Sequence, residues 1–229
     1  MKKITLSFLL SLLMAFTFTA CSSDSSDDDA QDSSGDYWPT AINNNWTFSQ
    51  DGSETSMKII GIDEMDGAKY YKFNQMAGAT ASLDAQASIW IKKNKGDYYM
   101  KMGEMDIDYA GYTGKITAYE FVFFKDYLQI DQTWNGKYSH TTTYNIPNFP
   151  GIVTTVNYTG KILERGSTLV VNGKTFNDVI KFSFTQNASI TGQAGTQNVV
   201  TNYWLAKNVG IIKMDSNGTS SELKSYFIN

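Results

Sequence analysis

Cysteine, histidine and arginine each occur once in the 229 residues, and proline occurs only three times. A lone cysteine excludes a disulfide framework. One cysteine with one histidine cannot furnish a Cys- or His-rich zinc site. The single arginine, Arg165, leaves no guanidinium clamp, so a phosphate or carboxylate site would need several lysines. A basic excess is missing too: 19 Lys+Arg face 23 Asp+Glu, a formal net charge of -4. That balance argues against a nucleic-acid surface, which needs clustered cations. No Gly-x-Ser-x-Gly elbow exists to present a nucleophile. Beyond the first twenty residues, no run approaches the ~18 apolar residues of a spanning helix.

What is present divides into an acidic N-terminal stretch and a charge-balanced remainder. Hydrophobic residues make up 41% of the chain and aromatic residues 14%, enough for a substantial core. Residues 1–36 hold Lys2, Lys3 and six aspartates. With these set aside, the rest carries 17 basic and 17 acidic side chains. The folded part therefore offers no whole-domain field to steer a charged ligand.

Residues 1–20 read as an export signal: Lys2 and Lys3, an apolar stretch from Ile4 to Thr19, then small residues ending at Ala20. The sequence Phe18-Thr19-Ala20-Cys21 resembles a bacterial lipobox. The resemblance implies cleavage after Ala20 and lipid attachment at Cys21, and hence a membrane partner reached through an anchor rather than a span. Ser22 to Asp36 contains no aromatic or branched aliphatic residue, so residues 21–36 are expected to form a disordered, self-repelling tether. A Ser- and Asp-rich run just after a lipidated cysteine is similar to the export signals of Bacteroidota surface lipoproteins. This implies the outer face of the outer membrane, with its periplasmic face as the alternative.

Residues 37–229 are expected to form one all-β domain. Asp51-Gly52, Asp66-Gly67, Asn135-Gly136, Asn172-Gly173 and Asn217-Gly218 each sit between β-prone residues. Such pairs favour type I′ hairpin turns. They predict hairpins of Ser56–Glu64 with Ala68–Asn74, Leu128–Trp134 with Lys137–Tyr144, and Ser167–Val171 with Lys174–Thr185. A fourth joins Ser88–Lys93 to Tyr98–Met102, and the whole amounts to 12–14 antiparallel strands. A sheet of that size should curl into a half-barrel or split into a sandwich. Ile180, Phe182 and Phe184 alternate with polar residues, so that strand has one wet face. Tyr119–Tyr127 is apolar in both phases and reads as a central strand. Residues 76–88 are the best helix candidate, though their Ala, Ser and Thr content suits a loop equally.

Catalytic constellations are sparse, and neither a cofactor nor a metal is expected. His140 beside the presumed Asn135-Gly136 turn could serve as a general base, but it reads better as a partly exposed strand residue. Glu104, Asp106 and Asp108 share one strand face and could serve glycoside hydrolysis or Ca²⁺. Acidic residues on an exposed strand are the plainer account. The five tryptophans, Trp38, Trp46, Trp90, Trp134 and Trp204, suit core packing or a glycan or apolar ligand. Trp134 is expected at an exposed rim, and Trp90 next.

Three segments carry a further resemblance: Tyr37 to Phe48 (YWPTAINNNWTF), Val170 to Ile180 (VVNGKTFNDVI) and Tyr203 to Lys213 (YWLAKNVGIIK). Together they are similar to uncharacterised bacterial envelope lipoproteins with a lipocalin-like or lipoprotein-carrier-like half-barrel. Here Asn44 stands where that pattern has glycine. The resemblance implies a concave apolar face and transfers no catalytic residue. The expected function is non-enzymatic binding of an apolar or glycan ligand, or of an envelope protein. A structural or adhesive module without a pocket is the alternative, and a glycan hydrolase a more distant one.

Overall fold

The computed structural model describes residues 30–76, 87–109 and 111–229. Their regular structure is entirely β. The strands are β1 (Asn45–Gln50), β2 (Ser53–Met65), β3 (Ala68–Phe73), β4 (Ile89–Asn94), β5 (Asp97–Met102), β6 (Met105–Tyr109) and β7 (Tyr112–Ile116). They continue as β8 (Tyr119–Lys125), β9 (Thr133–Tyr144), β10 (Ile152–Val171), β11 (Lys174–Ile190), β12 (Gln197–Ala206), β13 (Gly210–Ser216) and β14 (Thr219–Phe227). All are hydrogen-bonded into one antiparallel sheet, ordered β6-β7-β9-β10-β11-β12-β13-β14-β1-β2-β3-β4-β5-β8. The sheet is curled and does not close into a barrel. The expected signal segment, Ala20, Cys21 and most of the helix candidate lie outside the described residues.

Four of the five Gly-containing pairs make the expected two-residue turns. The closing pairs are Gln50↔Ser53, Met65↔Ala68, Val171↔Lys174 and Ser216↔Thr219. In each, both turn residues have positive φ, for example 46° and 76° at Asn172 and Gly173. That is the twist a right-handed strand pair requires. Lys95-Gly96 likewise joins β4 to β5, with Asn94↔Asp97 closing the turn.

Asn135-Gly136 does something else. Both residues lie inside β9, opposite Thr159 and Tyr158 of β10, so the hairpin expected around them is replaced by a single strand. Trp134 faces Gly160 across this pair, and Tyr158 faces Gly136. A Cβ at Gly160 would fall 2.0 Å from the Trp134 ring, and one at Gly136 would fall 2.1 Å from the Tyr158 hydroxyl. Each glycine thus gives the opposite ring room to lie across the strand. Packing, rather than backbone freedom, fixes Gly136 as glycine.

Those two rings fasten the curled sheet. β8 is one of its end strands, which corrects the central position expected for Tyr119–Tyr127. Curling nevertheless brings β8 beside β9 and β10. The Val122 N–H donates to Tyr158 Oη at 3.2 Å, and the Val122 C=O accepts from Trp134 Nε1 at 3.2 Å. Two side chains therefore occupy the backbone sites that a further strand would otherwise fill. The pairs Tyr98↔Phe124 and Tyr99↔Val122 leave Phe123 as an extra residue on β8. This bulge lets Phe123 and Phe124 both face the core, where both are buried, as strict alternation would forbid.

β2 divides its pairing. Ser53–Lys58 joins β1, and Ile59–Met65 joins β3 after a bulge at Ile59/Gly61. The corner thus formed lets the β3-β4-β5-β8 end fold over the β9–β12 end. Between them lies the aromatic core. Trp38, fully buried, packs edge-on to Phe73 and Phe123, and Phe124 stacks on Phe182 at 4.9 Å.

The N-terminal segment docks against the domain from Gln31 onward, inside the stretch expected to be a tether. The Gln31 C=O accepts from Gly96 N–H at 2.9 Å. The fully buried Asp126 carboxylate accepts from Ser33 Oγ, Ser34 N–H and Tyr98 Oη at 2.5, 2.8 and 3.1 Å. A buried carboxylate needs such donors, and the serines supply two of the three. Arg165 donates to the Asp126 and Leu128 carbonyls, a structural role. Nearby, left-handed backbone falls on Asn43 (φ 74°) rather than Asn44. Asn44 is buried and donates to Pro39 C=O while accepting from Asn229 N–H, which ties the segment before β1 to the one after β14.

Candidate ligand-binding cleft

The folded-over halves do not fill the whole space between them. At the Tyr119 end of β8 they leave an open cleft of about 200 Å³. One wall is aliphatic and sulfurous, formed by Met76, Ile89 of β4, and Met100 and Met102 of β5. Tyr119, Phe121 and Phe123 of β8 continue that face, and Tyr138 of β9, Phe184 of β11 and Tyr203 of β12 line the other side. Register sets methionine beside aromatic ring, because Phe121 pairs with Met100 and Tyr119 with Met102 in the β5–β8 ladder. Phe123 and Phe184, both buried, form the floor, while the rim residues Tyr119, Tyr138 and Gln186 are half-buried.

Ring geometry makes the aromatic wall a ladder. Tyr119 stacks on Tyr138 with centroids 4.7 Å apart and planes at 6°, and Phe121 lies 4.9 Å from Tyr138 at 19°. His140 continues the stack, 5.3 Å from Tyr119. Gln186, the one amide of the lining, donates from Nε2 to Tyr138 Oη at 3.0 Å. Burial pushes the Tyr138 phenol well above its ordinary range, helped by Tyr119 and opposed by the Gln186 bond. Burial also raises Tyr203, to about 12, against a hydrogen bond from Thr201. Both phenols therefore stay protonated at neutral pH. His140 shifts the other way, since burial disfavours its cation. No lining residue carries a charge, so the cleft presents neutral, polarisable surface with a few hydroxyls and one amide.

The residues singled out from sequence lie elsewhere. Trp134 is buried at 5% exposure and bonded to Val122, so the exposed rim expected for it does not exist. Its neighbouring Gly136 is part of a strand and not of a turn. Trp90 is on the outer face of β4, where Nε1 donates to Asp63 at 2.7 Å and Lys72 Nζ sits 5.4 Å from the ring. Glu104, Asp106 and Asp108 are exposed, and Lys115 lies 2.5 Å from Glu104 and 3.9 Å from Asp106. Asp106 and Asp108 border a hollow of about 320 Å³ lined mainly by the β6–β7 hairpin. Among the described residues, no group of three or more His, Cys, Asp or Glu is placed to hold a metal ion.

Sequence reasoning identified the inward face of β8 but not its partners. The visible signal was the run of aromatics in both phases of Tyr119–Phe124. The methionines gave none, since Met76 precedes β4, Met100 and Met102 lie in β5, and only the β5–β8 pairing brings the last two beside Phe121 and Tyr119.

No protein-family model matches the chain, and no curated protein matches it in sequence. Two solved structures resemble it. One is a Parabacteroides distasonis protein inferred to be a lipoprotein, with TM-score 0.51 and 10% identity, covering 86% of this chain and 100% of its own. The other is a Bacteroides fragilis protein inferred to be exported and described as having a YmcC-like fold. It has TM-score 0.42 and 14% identity, covering 84% and 99%. The first likeness extends over nearly the whole β domain and shows a shared fold.

Proposed function

We propose that this protein is a non-catalytic, lipid-anchored envelope protein whose curled sheet binds a small apolar ligand. The observation that carries the reading is the open, uncharged cleft lined by methionine and aromatic side chains. Anchoring through Cys21 to the outer face of the outer membrane is supported by the lysine-led apolar stretch, the single cysteine and the Ser/Asp run after it. The like-folded Parabacteroides distasonis protein is also inferred to be a lipoprotein, which agrees with this address. The non-catalytic part rests on a lining without carboxylate, imidazole or thiol.

Native mass spectrometry of the protein purified from its own membranes tests the binding reading. An apolar compound should be retained by the wild type and lost from Ile89→Phe, which fills the cleft. Retention unchanged in that variant would overturn the assignment of the cleft, and no bound compound would favour an adhesive module. Cys21→Ser should release the protein from the membrane fraction. Protection of the domain from protease on intact cells would contradict surface display.

A further inference from the structure

We propose that the cleft selects a small neutral aromatic ligand with one hydrogen-bonding group, of the phenol or indole type. This rests on the binding reading above and narrows it to a chemical class.

Size sets the first limit. An enclosed apolar cavity of about 150 Å³ admits benzene, so about 200 Å³ accommodates a ring system the size of phenol or indole. A fused-ring lipid or a full acyl chain would not fit inside. Charge sets the second. A carboxylate or ammonium entering this uncharged lining would lose its hydration with no ion to replace it.

The walls then favour a ring over a saturated chain of equal volume. Met100 and Met102 lie beside Phe121 and Tyr119 on one face of the β5–β8 pair, and Phe184 and Tyr203 of β11 and β12 complete the lining. A flat ligand in the cleft gains sulfur–aromatic contacts from the methionines and ring–ring contacts from the aromatic side chains. A saturated chain gains neither. Gln186 supplies the polar end: its Nε2 is committed to Tyr138 Oη, which leaves its carbonyl oxygen to accept from a ligand O–H or N–H.

The test is calorimetric titration of the full-length protein in lipid nanodiscs, with empty nanodiscs as blank, using indole, 1-octanol and octanoate. Indole should bind saturably at one site and at least about tenfold more tightly than octanol, and octanoate should not bind. Gln186→Leu should weaken indole and octanol alike by about two- to tenfold, the worth of one hydrogen bond, since each offers a donor to the Gln186 carbonyl. Met100→Leu conserves volume and keeps the test open if Gln186→Leu fails to fold; it should weaken indole and leave octanol unchanged. Octanol binding as tightly as indole, or an equal effect of Met100→Leu on both, would overturn the aromatic class while the apolar-ligand reading stands. Octanoate binding as well as indole would remove the neutrality requirement. Failure of all three probes on protein stripped of co-purified compounds would overturn both readings.

Discussion

Gly160→Ala adds one methyl group at the place where the curled sheet is fastened. The new Cβ would fall 2.0–2.4 Å from three atoms of the Trp134 ring, far inside contact distance. Either the indole moves or β9 and β10 separate. Overpacking of this kind costs about 1–3 kcal/mol. Displacing the ring also breaks the Trp134 Nε1–Val122 C=O bond of 3.2 Å, worth about 0.5–1.5 kcal/mol. The sum is about 2–4 kcal/mol. For a domain of this size each kcal/mol lowers Tm by about 2–4 °C, so a fall of about 5–15 °C is expected. Gly61→Ala is the control, since a Cβ there meets nothing within 4 Å, and it should stay within about 1 kcal/mol of wild type. Urea unfolding followed by tryptophan fluorescence supplies the free energies. Trp134→Ala alone is costly, but adding Gly160→Ala to it should cost almost nothing further, because the obstructing ring is gone. The reasoning is refuted if Gly160→Ala matches Gly61→Ala, or if its cost persists undiminished in the Trp134→Ala background.

Two further outcomes follow from buried polar groups. Asp126→Ala removes the acceptor of Ser33, Ser34 and Tyr98 and should destabilise by roughly 3 kcal/mol. Hydrogen exchange at Ser34 should rise more than exchange at β10 or β11, and a uniform rise would argue against local docking. His140 titrates below its ordinary value because burial disfavours the cation, so the unfolded chain takes up its proton more readily than the folded one. The neutral imidazole's contribution is present above about pH 6.5 and is lost as pH falls through the lower folded value. The stability difference between wild type and His140→Gln should therefore shrink on acidification from about pH 6.5, as read by urea midpoints across pH, and a flat difference would contradict it.

Much of the local architecture was legible in the sequence, because type I′ turns leave a two-residue signature and half-buried strands leave alternation. Asn135-Gly136 shows the limit of that logic. The same dipeptide serves a turn at Asn172-Gly173 and a flat, ring-covered site at Gly136, and the choice depends on Tyr158, 22 residues away. The doubly apolar pattern of β8 was visible, yet its cause was a bulge and a curled sheet rather than a central position. Trp134 and Trp90 misled for a related reason: aromaticity reports affinity for apolar surface but does not say which surface. The cleft joins segments from Met76 to Tyr203, and no local pattern encodes a meeting of that span.

Where the N-terminal segment docks also bears on how the domain would stand if it is anchored as proposed. β8 begins at the cleft with Tyr119 and ends beside Asp126, which holds Ser33 and Ser34. Its six or so residue steps place about 20 Å between the two points. With Cys21 as the proposed anchor, the ten residues to Gln31 reach at most ~36 Å. Under that proposal the chain would leave the domain towards its bilayer at the Asp126 end, with the cleft at the far end of β8. A ligand would then reach the cleft from the surrounding medium without displacing the docked segment.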